Sequence, residues 1–173
     1  MFLHEMIKGA DPSHVVFEGE SRVTYGELAE ALRRYRNCLY EMGVRRGDRV
    51  ALYSANRPEF VYLYLAVVNY IMKDAGAMLL VTDTALEVSC PSIDIHDLDF
   101  KAGEGKSAEA PAFPKDATED DVCALVYTSG TTGSPKGAML THRNLVSNVE
   151  QFISRIVFKA EDKVLCVLPM FHC

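Results

Sequence analysis

The order strand, helix, strand between Asp48 and Asp83 constrains this chain more than any other feature of its sequence. "DRVALYS", Asp48 to Ser54, is a short run of apolar and β-branched residues of the kind that forms a buried strand. Pro58 opens a helix, because a residue in the first turn has no intrahelical use for the N–H that proline lacks. The apolar pattern predicts that helix from Pro58 to Ala75, with Gly76 ending it and "AMLLVTD" following as a second strand. A strand that returns to its sheet through a helix runs parallel to the first, with the helix packed on a face of the sheet. The chain is therefore predicted to be α/β, with a mostly parallel sheet flanked by helices.

The surrounding segments fit that plan. Phe2, Leu3, Met6 and Ile7 recur at helical spacing, and "HVVFEGESRVTY" places a Glu-Gly turn between two short runs, which predicts a hairpin. Thr24 and Glu27 form a capping box. Leu28, Leu32, Tyr35, Leu39 and Met42 then share one face until Gly43, so a helix is predicted from Tyr25 to Met42. Signals from Asp83 to Asp97 are mixed. Residues 101–121, rich in Gly, Ala, Pro and charge, read as a surface linker. "VCALVYT", Val122 to Thr128, is a further strand. Thr141 caps a helix from His142 to Arg155 that turns Leu145, Val149, Phe152 and Ile153 inward, and "KVLCVLP" is predicted as a fourth strand of the sheet.

Composition narrows the function classes. Of 173 residues, 49% are hydrophobic and 24% charged, as in ordinary globular proteins. A net charge of −6 lacks the basic excess of a nucleic-acid footprint, so no nucleic-acid partner is expected. Cys38, Cys90, Cys123, Cys166 and Cys173 contain no CxxC pair, and no histidine stands at ligand spacing; reduced thiols in a cytoplasmic protein with no metal site are expected. The start has no basic patch before an apolar core, which argues against export. "FVYLYLAVVNYIM" is shorter than the about 20 residues that span a bilayer, so membrane contact is at most peripheral.

The most specific chemistry lies in "YTSGTTGSPKG", Tyr127 to Gly137, at the end of a predicted strand, where open α/β sheets bind ligands. Gly130, Gly133 and Gly137 remove side-chain bulk, so successive backbone N–H groups can converge on an anion. Thr128, Ser129, Thr131, Thr132 and Ser134 add hydroxyl donors, and Lys136 adds a positive charge on a flexible stem. A Gly-rich surface turn is the bland alternative, and the density of donors weighs against it. A Walker A loop requires Lys followed by Ser or Thr at the start of a helix, whereas Lys136 is followed by Gly137 and the apolar "AML". The segment is thus predicted to return as a strand, and a helix starting at Gly137 would instead favour a phosphate-loop hydrolase.

"YTSGTTGSPKGAMLTHRNL", Tyr127 to Leu145, resembles the phosphate-loop signature of the adenylate-forming superfamily of acyl-CoA synthetases, luciferases and peptide-synthetase adenylation domains. "VTYGELAEALRRYRNCLYEMGVRRGDRVALYSANRPEFVYLYLAV" is similar to that family's amino-terminal segment, and "VLPMFH" to the motif that follows the loop. The likeness runs through nearly the whole chain in order, with the flavour of a long- or medium-chain fatty acyl-CoA ligase. It implies a reaction in which a carboxylic-acid substrate attacks the α-phosphate of Mg-ATP, releasing pyrophosphate, after which the thiol of CoA displaces AMP. On that resemblance Thr128, Ser129, Gly130, Thr131, Thr132, Gly133 and Lys136 hold the β- and γ-phosphates, with hydroxyls and N–H groups ranked above Lys136. His172 matches a histidine near the family's acyl pocket; its competing reading is an ordinary histidine. His142 and Arg143 read as capping or solvated residues, Tyr62, Tyr64 and Tyr70 as core, and Arg33, Arg34 and Arg36 as solvated surface.

Two departures from the family qualify that reading. The resemblance implies later motifs for adenine, ribose and magnesium and a mobile carboxyl-terminal domain, none of which occurs in this sequence. Residues 1–173 are therefore expected to be a partial amino-terminal domain of the adenylate-forming fold, inactive alone. In the family a Gly-rich turn, a strand and the start of a helix separate the segments that "AVVNY" and "IMKDAGA" resemble, and here the two run together. A sheet lacking a strand exposes an edge, and self-association is expected. The alternative from a different class is a non-catalytic nucleotide- or phosphate-binding or interaction module.

Overall fold

The computed structural model describes the chain except residues 20, 69–76, 86–89, 105–108, 129–135, 160 and 167–173, and the side chains of residues 53, 66–68, 127, 128 and 136. Among the described residues a 3-10 turn, Leu3–Glu5, precedes the hairpin of β1 (Val15–Glu18) and β2 (Arg22–Thr24), which pair antiparallel. Helix α1 (Tyr25–Glu41) starts where the capping box places it: the Glu27 N–H donates to the Thr24 hydroxyl at 3.2 Å, and the Thr24 N–H donates to the Glu27 carboxylate at 2.8 Å. It stops at Gly43, whose φ of 93° lies in the left-handed region that a side chain disfavours.

Strands β3 (Val50–Tyr53), β4 (Leu79–Thr82) and β5 (Ser92–Asp94) form a parallel sheet in the order β3-β4-β5. Helix α2 (Pro58–Val68) follows β3, as the crossover pattern requires. The predicted continuation of that helix to Ala75 passes Val68 into residues outside the described set. Helix α1 packs between α2 and α3 (Ile95–Gly103), and these three helices cover one face of the sheet. Leu28, Tyr35, Leu39, Leu63, Val81, Ile95 and Leu98 meet there as the core. The sheet therefore owes its stability to an apolar layer supplied chiefly by α1, whose buried face is the one read from its spacing.

Two expectations are corrected, and the start of the expected surface linker is moved. The mixed stretch after Asp83 contains both β5 and α3, the latter begun by Asp94, whose carboxylate accepts the His96 N–H at 2.8 Å. The expected linker 101–121 starts with the last turn of α3. Farther along it Ala110 is buried and donates its N–H to Asn37 Oδ1 at 3.0 Å, while Asp116 pairs with Arg46, so this stretch is strapped to the core side of α1 and its following loop. Residues 163–166, the described part of "KVLCVLP", belong to no strand. Val164 and Leu165 are 74% and 83% exposed, with no strand beside them among the described residues.

Candidate functional site

The predicted phosphate-binding stretch is carried by a hairpin. Strand β6 (Val122–Thr128) and strand β7 (Lys136–Thr141) pair antiparallel, with Tyr127 opposite Gly137 and Thr128 opposite Lys136. The return as a strand is as the sequence predicts, and it removes the helix at Gly137 that a Walker A hydrolase would need. The Thr128–Lys136 rung is the last one before the loop, so the two strands hold the ends of a seven-residue segment, 129–135, side by side. Ser129, Gly130, Thr131, Thr132 and Gly133 lie in that segment, outside the described residues, as does His172. Thr128 and Lys136 are placed by their backbones at the base of the loop.

The hairpin is anchored at its far end. Strand β7 runs directly into α4 (His142–Ile153), and Thr141 caps that helix by accepting the Asn144 N–H at 3.2 Å while Asn144 Oδ1 accepts the Thr141 N–H at 3.0 Å. His142 is neither a solvated residue nor a free base. It is buried, and its Nδ1 accepts the Leu3 N–H at 3.2 Å, so the neutral form is required with the proton on Nε2. Its ring and those of Phe2, His4 and Phe113 form one aromatic cluster, Phe2 meeting His142 edge-on at 5.0 Å and Phe113 at 4.6 Å. Burial lowers the pKa of both histidines, His4 to about 4. Arg143 pairs with Asp120 and Glu119 and holds the Asp120 carboxyl below its ordinary pKa.

This cluster was not legible in the sequence, because Leu3 and His142 are distant along the chain and only the fold brings them together. The inward face read for α4 is partly corrected as well: Val146 is buried, whereas Phe152 and Ile153 are 55% and 53% exposed. Tyr62 is core, as expected, and stacks edge-on against Tyr35 at 6.0 Å. Tyr64 stacks on Phe60. Arg33 is exposed on Glu30, while Arg34 and Arg36 are half-buried and not purely solvated surface. Cys123 on β6 is buried, and desolvation pushes its thiol up to about 12, which leaves no thiolate for nucleophilic chemistry.

Of the sequence-predicted site residues, the structure places only the backbones of Thr128 and Lys136. A loop whose ends are fixed by a hairpin can turn many N–H and hydroxyl groups toward one anion. Among the described residues no group of three His, Cys, Asp or Glu side chains could hold a metal ion.

With that geometry in place, the likeness to known proteins is informative. The AMP-binding enzyme family matches residues 7–70 and 67–173, and this chain belongs to that family. It is 32% identical over 203 residues to 4-coumarate–CoA ligase 3 of Oryza sativa subsp. japonica, covering 95% of this chain and 36% of the relative. It is 34% identical over 181 residues to feruloyl-CoA synthase of an Amycolatopsis species, covering 91% of this chain and 36% of the relative. The chain thus spans about a third of the length of these relatives. Among solved structures, O-succinylbenzoate coenzyme A synthetase of Bacillus subtilis in complex with AMP superposes with a TM-score of 0.81 at 26% identity, over 98% of this chain and 49% of that one. The same synthetase with ATP and magnesium ion superposes at 0.79 with 25% identity, over 98% of this chain and 51% of that one. The fold is accordingly the amino-terminal part of an adenylate-forming α/β enzyme.

Proposed function

We propose that this chain is the phosphate-holding portion of an ATP-dependent acid–thiol ligase and is inactive alone. In the intact reaction a carboxylate oxygen attacks the α-phosphorus of ATP, the bond to the β-phosphate oxygen breaks, and pyrophosphate departs. The thiol of CoA then attacks the acyl carbon and AMP leaves. Charge builds on the departing pyrophosphate in the first step, and the loop bounded by Thr128 and Lys136 is the part of this chain suited to stabilise it. The observation that supports this reading is the Thr128–Lys136 rung, by which the chain returns from the segment as a strand and not as a helix. Ser129, Gly130, Thr131, Thr132 and Gly133 supply the donors, and Lys136 the charge. His172 is proposed to orient the acyl carboxylate.

The names of the relatives, 4-coumarate–CoA ligase and feruloyl-CoA synthase, favour an aromatic carboxylic acid and lend no support to the fatty-acid flavour of the sequence. Inactivity alone is supported by the share of the relatives that the chain spans. No helix among the described residues is long and apolar enough to cross a membrane, and a cytoplasmic location is part of the proposal. So is self-association. The test is pyrophosphate release by the 173-residue chain given Mg-ATP and 4-coumarate. No release above background is expected, and saturable adenylate formation would overturn the claim of inactivity.

A further inference from the structure

Helix α1 carries a second stripe beside the one it buries in the core. Ala29, Leu32, Arg33 and Arg36 stand at the i, i+3, i+4 and i+7 spacing of one helix face, and they line a pocket shared with the 3-10 turn and the segment after it. The pocket is open and has a volume of about 330 Å³. Its walls are held together by the first two amides of α1: the Tyr25 N–H donates to the His14 carbonyl and the Gly26 N–H to the Pro12 carbonyl, each at 2.9 Å. Gly26 permits that approach, because a Cβ there would lie 3.1 Å from the Pro12 carbonyl oxygen. The amides at the helix start are thus already satisfied, and what the pocket offers a ligand comes from its side chains.

Those side chains are apolar and basic. No Asp or Glu lines the pocket, in a chain whose net charge is −6. Ile7, Pro12, Ala29 and Leu32 supply apolar surface. Of the cations, Lys8 is paired with Glu5 at 2.7 Å and Arg33 with Glu30 at 2.6 Å. His4 is held neutral near pH 7 by burial, which lowers its pKa to about 4. Arg36 is different: its Nε is buried without a hydrogen-bond partner, and no carboxylate pairs with its guanidinium among the described residues. A half-buried guanidinium short of an acceptor has lost hydration without compensation. A carboxylate matches its planar fork with two oxygens. One unpaired cation favours a ligand with one negative charge, and a volume at the small end of ligand pockets favours a compact body. We propose that this pocket binds a compact organic monocarboxylate, with the carboxylate on Arg36 and the apolar body against Ile7 and Leu32. No residue of the pocket belongs to the β6–β7 hairpin, so the proposal stands independently of the phosphate-loop reading.

Benzoate is the probe, titrated into the isotopically labelled 173-residue chain and followed through its amide resonances by NMR. Saturable shifts concentrated in residues 4–12 and 25–36 are expected. Benzamide, of the same shape without the charge, should bind roughly tenfold or more weakly, the scale of a charge-assisted hydrogen bond. Arg36→Gln should weaken benzoate binding by a similar factor. Ala29→Leu fills the pocket from an exposed helical position and should also weaken it tenfold or more, with an unchanged thermal midpoint. Should Arg36→Gln fail to fold, the benzamide comparison and Ala29→Leu still decide the matter. No saturable shift in those residues, equal binding of benzamide, or undiminished benzoate binding by either folded variant would overturn the proposal.

Discussion

Thr128 and Lys136 face one another across the final rung of the β6–β7 hairpin. That pairing brings the two ends of the Gly- and hydroxyl-rich segment together. The entropy of closing the segment's ends is therefore met by the hairpin itself and not by an anion.

The hairpin's position depends on α4, and α4 depends on its cap. Thr141→Ala removes the hydroxyl that accepts the Asn144 N–H and should destabilise the chain by about 1 kcal/mol. Urea denaturation followed by circular dichroism checks this. Thr24→Ala, at the equivalent position of α1, should cost a similar amount.

Stability should fall on acidification through the range set by the buried histidines. His4 is held neutral in the fold by burial, with its pKa lowered from 6.5 to about 4, and is flanked by Glu5, Lys8, Arg36 and His142. The unfolded chain takes up a proton first as pH drops below 6.5, so His4's contribution is fully present above that value and is lost as pH falls toward 4. His4→Phe keeps a ring among Phe2, Phe113 and His142 and should flatten this part of the stability profile, as measured by denaturation midpoints across the same range.

Tyr35 joins α1 to α3 through a hydrogen bond from its hydroxyl to Asp99 Oδ1 at 2.7 Å. The ring is fully buried, and desolvation together with the Asp99 carboxylate raises the phenol's pKa. Tyr35→Phe should therefore destabilise by roughly 1.5–3 kcal/mol, the scale of a hydrogen bond to a charged group. Thermal unfolding of the variant against the unaltered chain measures it.

The contrast between α1 and α3 shows which parts of the fold were legible. In α1 the capping box, the apolar face and the Gly43 stop all agree, and the helix lies where they place it. In α3 the same kinds of signal exist: Asp94 caps it, and Ile95, Leu98 and Ala102 share its buried face. They were obscured because α3 follows a three-residue strand and ends inside a stretch whose Gly, Ala and Pro content reads as linker. Periodicity also misled at the end of α4, where Phe152 and Ile153 have the spacing of core residues but no described element covers them. The hairpin return after Lys136 was legible from Gly137 and the apolar "AML" alone, since no helix-starting hydroxyl follows the lysine. The tie between Leu3 and His142 was not, because a contact between distant residues leaves no local pattern.

The central claim is that the loop between Thr128 and Lys136 holds a pyrophosphate-like anion chiefly through hydroxyl and N–H donors. Calorimetric titration of the 173-residue chain with magnesium pyrophosphate tests it most directly, comparing the unaltered chain with Thr131→Val/Thr132→Val and with Lys136→Ala. Weak, saturable binding is expected, reduced roughly tenfold or more by the threonine pair, in line with loss of charge-assisted hydrogen bonds, and less by the lysine change. No saturable binding to the unaltered chain, or equal binding by the threonine variant with an unchanged thermal midpoint, would contradict the account.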